Sequence, residues 1–281
     1  MSIICLSLIF LLIGTMNAAP QGRTQFATSK DGARIAYDVT GTGPAVMLLH
    51  GGGQNRHVWH DTGYVSRLSS EFAVVTVDLR GNGDSDKPVT AAAYGIDRLT
   101  DDLVAVADSA GIGRFTLWGF SYGANVGRYL AARTDRVRAM IYIGIPFGPA
   151  ADGAFRTMIL DLQAKWTPRI EARTSGRLDT SAWSAEDRAA WDRGTVPLNL
   201  AWLSAMLDYP PIEPADMRLP MLWVIGTKND VAMASLKAHE GEIAQTQVSV
   251  AILEGLTHDQ ELEHIDQAVS CELEFTRAHS K

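Results

Sequence analysis

Cysteine is almost missing from this chain. Cys5 and Cys271 are its only two, too few for a disulfide framework or a thiolate zinc cage. Basic runs are missing too. The formal net charge is −7, and no stretch interleaves aromatics with Lys or Arg, which argues against a nucleic-acid surface. Neither a G-x-x-x-x-G-K-S/T phosphate-binding loop nor an H-E-x-x-H zinc motif occurs, so neither of those chemistries is expected. Internal repeats and low-complexity tracts are lacking. The one long uncharged, mostly apolar run, Ser2 to Thr15, is short for a transmembrane helix, and no stable membrane insertion is expected. It suits the apolar region of a secretory leader, but no Lys or Arg precedes it and the small-x-small cleavage pattern after it is poor. Residues 1–19 are therefore set aside as a leader-like segment or a misplaced start. A start at Met16 gives a cytoplasmic protein; a genuine leader over residues 1–19 gives a secreted or periplasmic one.

What is present is a chain of 281 residues, 46% of them hydrophobic, enough for a core plus an insert. Strand-like runs recur at Gln25–Ser29, Arg34–Val39, Ala45–Leu49, Ala73–Val77, Phe115–Trp118, Arg138–Ile145, Met221–Ile225 and Ser249–Leu253. The first two are joined by the turn signal Asp31-Gly32 and read as antiparallel. The later ones are continuous and apolar, as buried parallel strands are. Helical patterns lie between them, the clearest from Ile96 to Ala110 with Ile96, Leu99, Leu103, Val106 and Ala110 at helical spacing. This alternation predicts an α/β fold with a doubly wound, mostly parallel eight-stranded sheet. The rhythm breaks between Phe147 and Arg218, where helical stretches (Gly153–Lys165, Ser184–Arg193, Leu198–Leu207) replace strands. The expected division is a core of residues 20–146 and 219–281 with a helical cap at 147–218. Four of the seven tryptophans, Trp166, Trp183, Trp191 and Trp202, fall in that cap. Each could pack the cap or face a pocket, and Trp166 and Trp202 are candidates for the pocket together with Gly51 and Phe120.

The chemistry is concentrated in three places. Gly119-Phe120-Ser121-Tyr122-Gly123 stands between a strand-like run and a helix-like one. A serine between two glycines at such a junction is a nucleophile elbow: the turn is tight, the glycines remove Cβ clashes, and the hydroxyl stands at the positive end of a helix. His50-Gly51-Gly52-Gly53 follows another apolar run. Its glycines allow close backbone approach, so the N–H groups of Gly52 and Tyr122 are the expected pair of oxyanion donors. His50, at the strand end, is expected to prop that loop. His258 lies past the last strand-like run and before a helical stretch from Gln260 to Arg277, and is the candidate base. The orienting acid is sought between serine and base, after a strand: Gly226-Thr227-Lys228-Asn229-Asp230 is that place, and Asp230 is the choice. Asp259, adjacent to His258, is set aside because neighbouring side chains in a turn diverge.

The order Ser121, Asp230, His258 is that of α/β-hydrolases. From about Gln25 to Ala278 the chain resembles the α/β-hydrolase fold family, in particular its cap-bearing esterases, lactonases, C–C hydrolases and cofactor-free haloperoxidase-like enzymes. Asp78-Leu79-Arg80-Gly81-Asn82-Gly83-Asp84-Ser85 also matches a loop of that group, here read as structural with Arg80 tied to carboxylates or carbonyls. The resemblance implies a serine hydrolase acting on a small ester or lactone through an acyl-enzyme, without metal or organic cofactor. C–C bond hydrolysis, perhydrolysis and a non-catalytic ligand-binding role are the alternatives. Dehalogenases and epoxide hydrolases of the fold use an aspartate nucleophile, against which Ser121 argues. One departure stands out: family members often carry the acid three residues after the glycine, where this chain has Asn229. Either the turn is one residue longer and delivers Asp230, or an asparagine occupies the acid slot and forfeits its charge. Oligomeric state is left open.

Overall fold

The computed structural model describes residues 23–280; the leader-like residues 1–19 lie outside them. Eight strands form one sheet: β1 (Gln25–Thr28), β2 (Arg34–Thr40), β3 (Ala45–Leu49), β4 (Ala73–Val77), β5 (Phe115–Phe120), β6 (Val137–Ile143), β7 (Met221–Gly226) and β8 (Val248–Leu253). Their spatial order is β1-β2-β4-β3-β5-β6-β7-β8. β1 and β2 pair antiparallel, as do β2 and β4; every other pairing is parallel. The helices are α1 (Val58–Asp61), α2 (Tyr64–Leu68), α3 (Ile96–Ser109), α4 (Tyr122–Arg133), α5 (Gly153–Thr174), α6 (Ala185–Asp192), α7 (Val196–Met206), α8 (Asp230–Ile243), α9 (Gln260–Glu263) and α10 (Ile265–His279).

The sheet is apolar where helices cover both faces. All six residues of β5 and all six of β7 are buried, which is why these strands read as unbroken hydrophobic runs. β8 departs from that expectation: it is the sheet edge, its middle is only partly covered, and Ile252 is 45% exposed. α3 buries Leu99, Leu103 and Val106 at helical spacing against the sheet. The Asp31-Gly32 turn forms with Gly32 at φ +89°, the left-handed conformation that glycine adopts without a Cβ clash.

Between β6 and β7 the chain leaves the sheet and forms α5, α6 and α7. α5 runs nine residues beyond the expected Lys165, through Pro168, to Thr174. Ser184 caps α6 by accepting the N–H of Asp187 at 3.0 Å. The Asp187 carboxylate pairs with Lys165 and Arg169 and ties α6 to α5. Trp166, Trp183 and Trp191 pack edge-on and stacked at 5.4–5.9 Å between ring centroids, with the Arg169 guanidinium 4.4 Å over the Trp183 ring. These three tryptophans form a small core of their own with Leu200.

The C-terminal helical stretch divides at His264 (φ −93°, ψ 57°) into α9 and α10. Among the described residues no helix is long and apolar enough to cross a membrane.

Candidate active site

Five loops at the carboxyl ends of adjacent parallel strands meet at one place: those after β3, β5, β6, β7 and β8. Ligand sites of open parallel sheets form at that edge.

Ser121 is the turn between β5 and α4. Among the described residues it is the only non-glycine with positive φ (51°, with ψ −116°), a conformation that costs about 1–3 kcal/mol. The turn holds it there: its N–H donates to Ile143 O at 3.1 Å, and its carbonyl accepts the Asn125 N–H at 2.9 Å. Both flanking glycines are sterically required. A Cβ on Gly119 would lie 2.6 Å from the Ala124 backbone, and one on Gly123 would lie 2.3 Å from Leu49 O.

The loop after β3 stands opposite. His50 is fully buried; its Nδ1 is 2.7 Å from Gly51 O and its Nε2 accepts the Leu79 N–H at 3.1 Å. This pairing fixes the Nδ1–H tautomer, and burial pushes the pKa down to about 4. His50 thus braces the glycine loop as a neutral ring. Two ion-pair sets hold the neighbouring loops: Arg56 binds Asp38, Asp78 and Asp84, and Arg80 binds Asp31 and Asp102. Arg80 also donates to Ala93 O. The N–H groups of Gly52 and Tyr122 take no part in backbone hydrogen bonds, and both residues line the same cavity as Ser121.

His258 sits within reach of Ser121, with Nε2 2.9 Å from Ser121 Oγ. Phe120 stacks on its ring at 5.0 Å and 22°. Its Nδ1 is 3.0 Å from Glu261 Oε2, three residues on, where one helical turn brings i and i+3 together. Glu261 is fully buried. Its Oε1 accepts the Gly226 N–H at 2.7 Å and Asn229 Nδ2 at 2.9 Å. Asn229 also donates to Gly144 O at 2.8 Å, while its Oδ1 accepts the Ala232 N–H at 3.2 Å and caps α8. Asn229 Nδ2 lies 3.3 Å from His258 Nδ1 as well. The two nitrogens are not bonded, however, once Nδ1–H is turned to the Glu261 carboxylate, the stronger acceptor.

Asp230 is therefore not the partner of His258. It is exposed in the first turn of α8, where its charge favours the helix dipole. Asn229 stands in the slot after β7, and the charge comes from Glu261, which the sequence reading did not single out. The pattern His258-x-x-Glu261 after the last strand was the available signal. Gly144 makes the arrangement possible: at φ +82°, a Cβ there would fall 2.2 Å from Glu261 Oε2 and 2.7 Å from His258 Nδ1.

The cavity over Ser121 measures about 870 Å³ and is lined by Gly52, Tyr122, Ile145, Phe147, Trp202, Met206 and Val231 among others. Trp202 lies 4.9 Å from the Tyr122 ring and 3.1 Å from where a Gly52 Cβ would stand. The other pocket expectations are corrected. Trp166 belongs to the tryptophan cluster described above, because its helix face turns toward α6. Gly51 and Phe120 are buried behind the cavity wall, Gly51 bonding Gln54 through its N–H. Asn125 and Arg128, which the sequence reading passed over, line the cavity. They follow Ser121 by four and seven residues, the spacing of one helix face.

Comparison with known proteins places the frame in a family. Residues 44–212, more than half of the chain, match the model of the alpha/beta hydrolase fold. Epoxide hydrolase 3 of Siraitia grosvenorii is 33% identical over 121 residues, 42% of this chain and 38% of that protein. A fluoroacetate dehalogenase from a Burkholderia species is 40% identical over 96 residues, 33% of this chain and 31% of that protein. The chain thus spans less than two fifths of the length of these relatives. Among solved structures, an epoxide hydrolase from Vigna radiata superposes with a TM-score of 0.69 at 20% identity, covering 94% of this chain and 100% of that one. A thermophilic esterase from Thermogutta terrifontis gives 0.67 at 21%, covering 92% and 100%. On the family match and the sheet order together, the chain belongs to the alpha/beta hydrolase fold family.

Proposed function

We propose that this protein is a serine hydrolase that cleaves a carboxylic ester or lactone through an acyl-enzyme. The observation that carries the reading is the continuous line Glu261 Oε2, His258 Nδ1, His258 Nε2, Ser121 Oγ, with contacts of 3.0 and 2.9 Å, opening on a largely apolar cavity. His258 takes the proton from Ser121 as its oxygen attacks the carbonyl. Glu261 holds the Nδ1–H tautomer and stabilises the imidazolium. The oxyanion is met by the N–H groups of Gly52 and Tyr122, each such donor being worth about 2.7–4 kcal/mol in the transition state. The alcohol leaves with the proton from His258, which then activates water to release the acid. Every group in this cycle comes from the chain, and the partner it calls for is a small ester-like molecule.

The names of the relatives raise a second reading, epoxide opening or dehalogenation. The nucleophile decides against it. A carboxylate that attacks an alkyl carbon forms an ester, which water can cleave; a serine doing so forms an ether, which it cannot. Ser121 therefore favours substrates whose attacked carbon is a carbonyl. C–C hydrolysis and perhydrolysis meet that condition too, whereas a ligand receptor of this fold has no need of a base backed by a buried carboxylate. Hydrolysis of p-nitrophenyl acetate and butyrate by the wild type and by Ser121→Ala tests the reading. Turnover is expected in the first and background in the second; equal turnover in both would remove Ser121 from the chemistry.

A further inference from the structure

The cavity wall carries a polar feature that ester hydrolysis does not use. Ser121, Asn125 and Arg128 share one face of α4, and all three line the cavity. Asn125 is 3% and Arg128 1% exposed. Neither Oδ1 nor Nδ2 of Asn125 has a protein partner, and neither has Nε of Arg128. The Arg128 guanidinium makes two long contacts through Nη1, 3.4 Å to Tyr142 Oη and 3.3 Å to Pro146 O. The Pro146 carbonyl is already taken by the Tyr142 hydroxyl at 2.7 Å. The Arg128 cation also lies 5.2 Å over the Tyr129 ring. Among the described residues no carboxylate pairs with it.

The acidic residues of the same cavity are engaged elsewhere. Asp152 caps α5 through the Gly153 N–H, and Glu213 pairs with His239 at 3.1 Å. A buried guanidinium without a counter-charge is costly, and its planar fork matches a carboxylate. An adjoining orphan amide can donate to the same group.

We propose that Asn125 and Arg128 form a carboxylate-binding subsite, so that the substrate is an ester or lactone carrying a free carboxylate away from the scissile carbonyl. This rests on Ser121 being the nucleophile. The Cα atoms of Ser121 and Arg128 are about 10 Å apart along the helix at its rise of 1.5 Å per residue, and the arginine side chain leans back toward Ser121. A linker of a few carbons spans what remains.

The test uses Ser121→Ala protein, which holds ligand without turnover, and calorimetric titration with the monomethyl and dimethyl esters of succinic, adipic and suberic acids. At one chain length the monoester, which keeps a carboxylate, is expected to bind at least about tenfold tighter than the neutral diester. Arg128→Gln in that background should remove the preference while leaving diester binding within about threefold. Asn125→Leu is the second variant; it leaves the Arg128 cation in place and should reduce the preference in part. Equal binding of the two esters at every length overturns the proposal. So does the absence of monoester binding, or a preference that survives Arg128→Gln. Fluorophosphonate labelling of the wild type separates the two readings: labelling at Ser121 without monoester preference retires the subsite alone, and monoester preference without labelling keeps a carboxylate-binding site but retires the hydrolase and, with it, the ester as substrate.

Discussion

The two sides of His258 are built differently. On the serine side, every part stands where the sequence pattern puts it: the elbow after β5, the glycine loop after β3, and the proposed donors Gly52 and Tyr122 beside Ser121 in the cavity. On the acid side the parts have moved. The slot after β7 holds an amide, Asn229, and the carboxylate arrives from α9, one turn beyond the histidine itself. The serine side depends on backbone conformation, which glycines and one strained φ fix locally. The acid side depends on side chains meeting from two loops, and such a meeting has more than one solution. A carboxylate that accepts from Nδ1–H serves from either loop, provided the other group does not bring a second negative charge into the same buried space.

That contrast can be broken most severely at Glu261. Glu261→Gln keeps the shape and removes the charge, and kcat for an activated ester should fall by about 10³–10⁴; the measurement is kcat against the wild type, with circular dichroism to confirm folding. Gly144→Ala attacks the same side sterically. Its Cβ would collide with Glu261 and His258, and its φ of +82° disfavours any side chain. A loss of stability of about 2–4 kcal/mol is expected in chemical denaturation, together with lost activity.

The serine side has its own weak point, acid. His50 is neutral and buried, its pKa lowered from 6.5 to about 4 by desolvation. A depressed folded pKa means that the stability is fully present above about pH 6.5 and is lost as pH falls toward 4, on the order of 3 kcal/mol in all. Denaturant titrations at pH 7, 5.5 and 4 should show this slope, and His50→Gln should flatten it.

Asn229→Asp sharpens the comparison at smaller cost. It places a second carboxyl against Glu261, and one of the two must stay protonated. Activity should drop by about 10–100-fold at neutral pH. Adding Glu261→Gln should restore part of it, by returning a single charge to the pair; a double variant no better than Glu261→Gln alone would tie the function to Glu261's own position. Asp230→Asn is the smallest change: no loss of turnover, and at most about 0.3–1 kcal/mol of stability through the α8 dipole.

The same contrast explains what was legible in the sequence. Buried parallel strands are apolar throughout, so β3, β4, β5 and β7 were found nearly to the residue. The elbow was found because its glycines answer a local steric demand. Glu261 was not, because an acidic residue in a short helical turn looks the same whether it faces solvent or a histidine. Asp230 was chosen for its charge, but its position at the start of α8 turns it outward while its neighbour Asn229 turns in. The break at His264, which separates α9 from α10, had no sequence signal comparable to a proline. Arg128 was passed over for a related reason: on a helix one face away it would be an ordinary surface residue, and only the sheet behind α4 and the chain at Pro146 bury it.

The most direct test is the rate of fluorophosphonate labelling in the wild type, Glu261→Gln and Asp230→Asn, with the adduct located by peptide mass spectrometry. The probe needs no knowledge of the substrate and reports how strongly His258 activates the serine. Labelling at Ser121 that slows by about 10² or more in Glu261→Gln and is unchanged in Asp230→Asn is the predicted result. Undiminished labelling in Glu261→Gln, with a slowed rate in Asp230→Asn, would contradict the assignment and return the acid to the loop after β7.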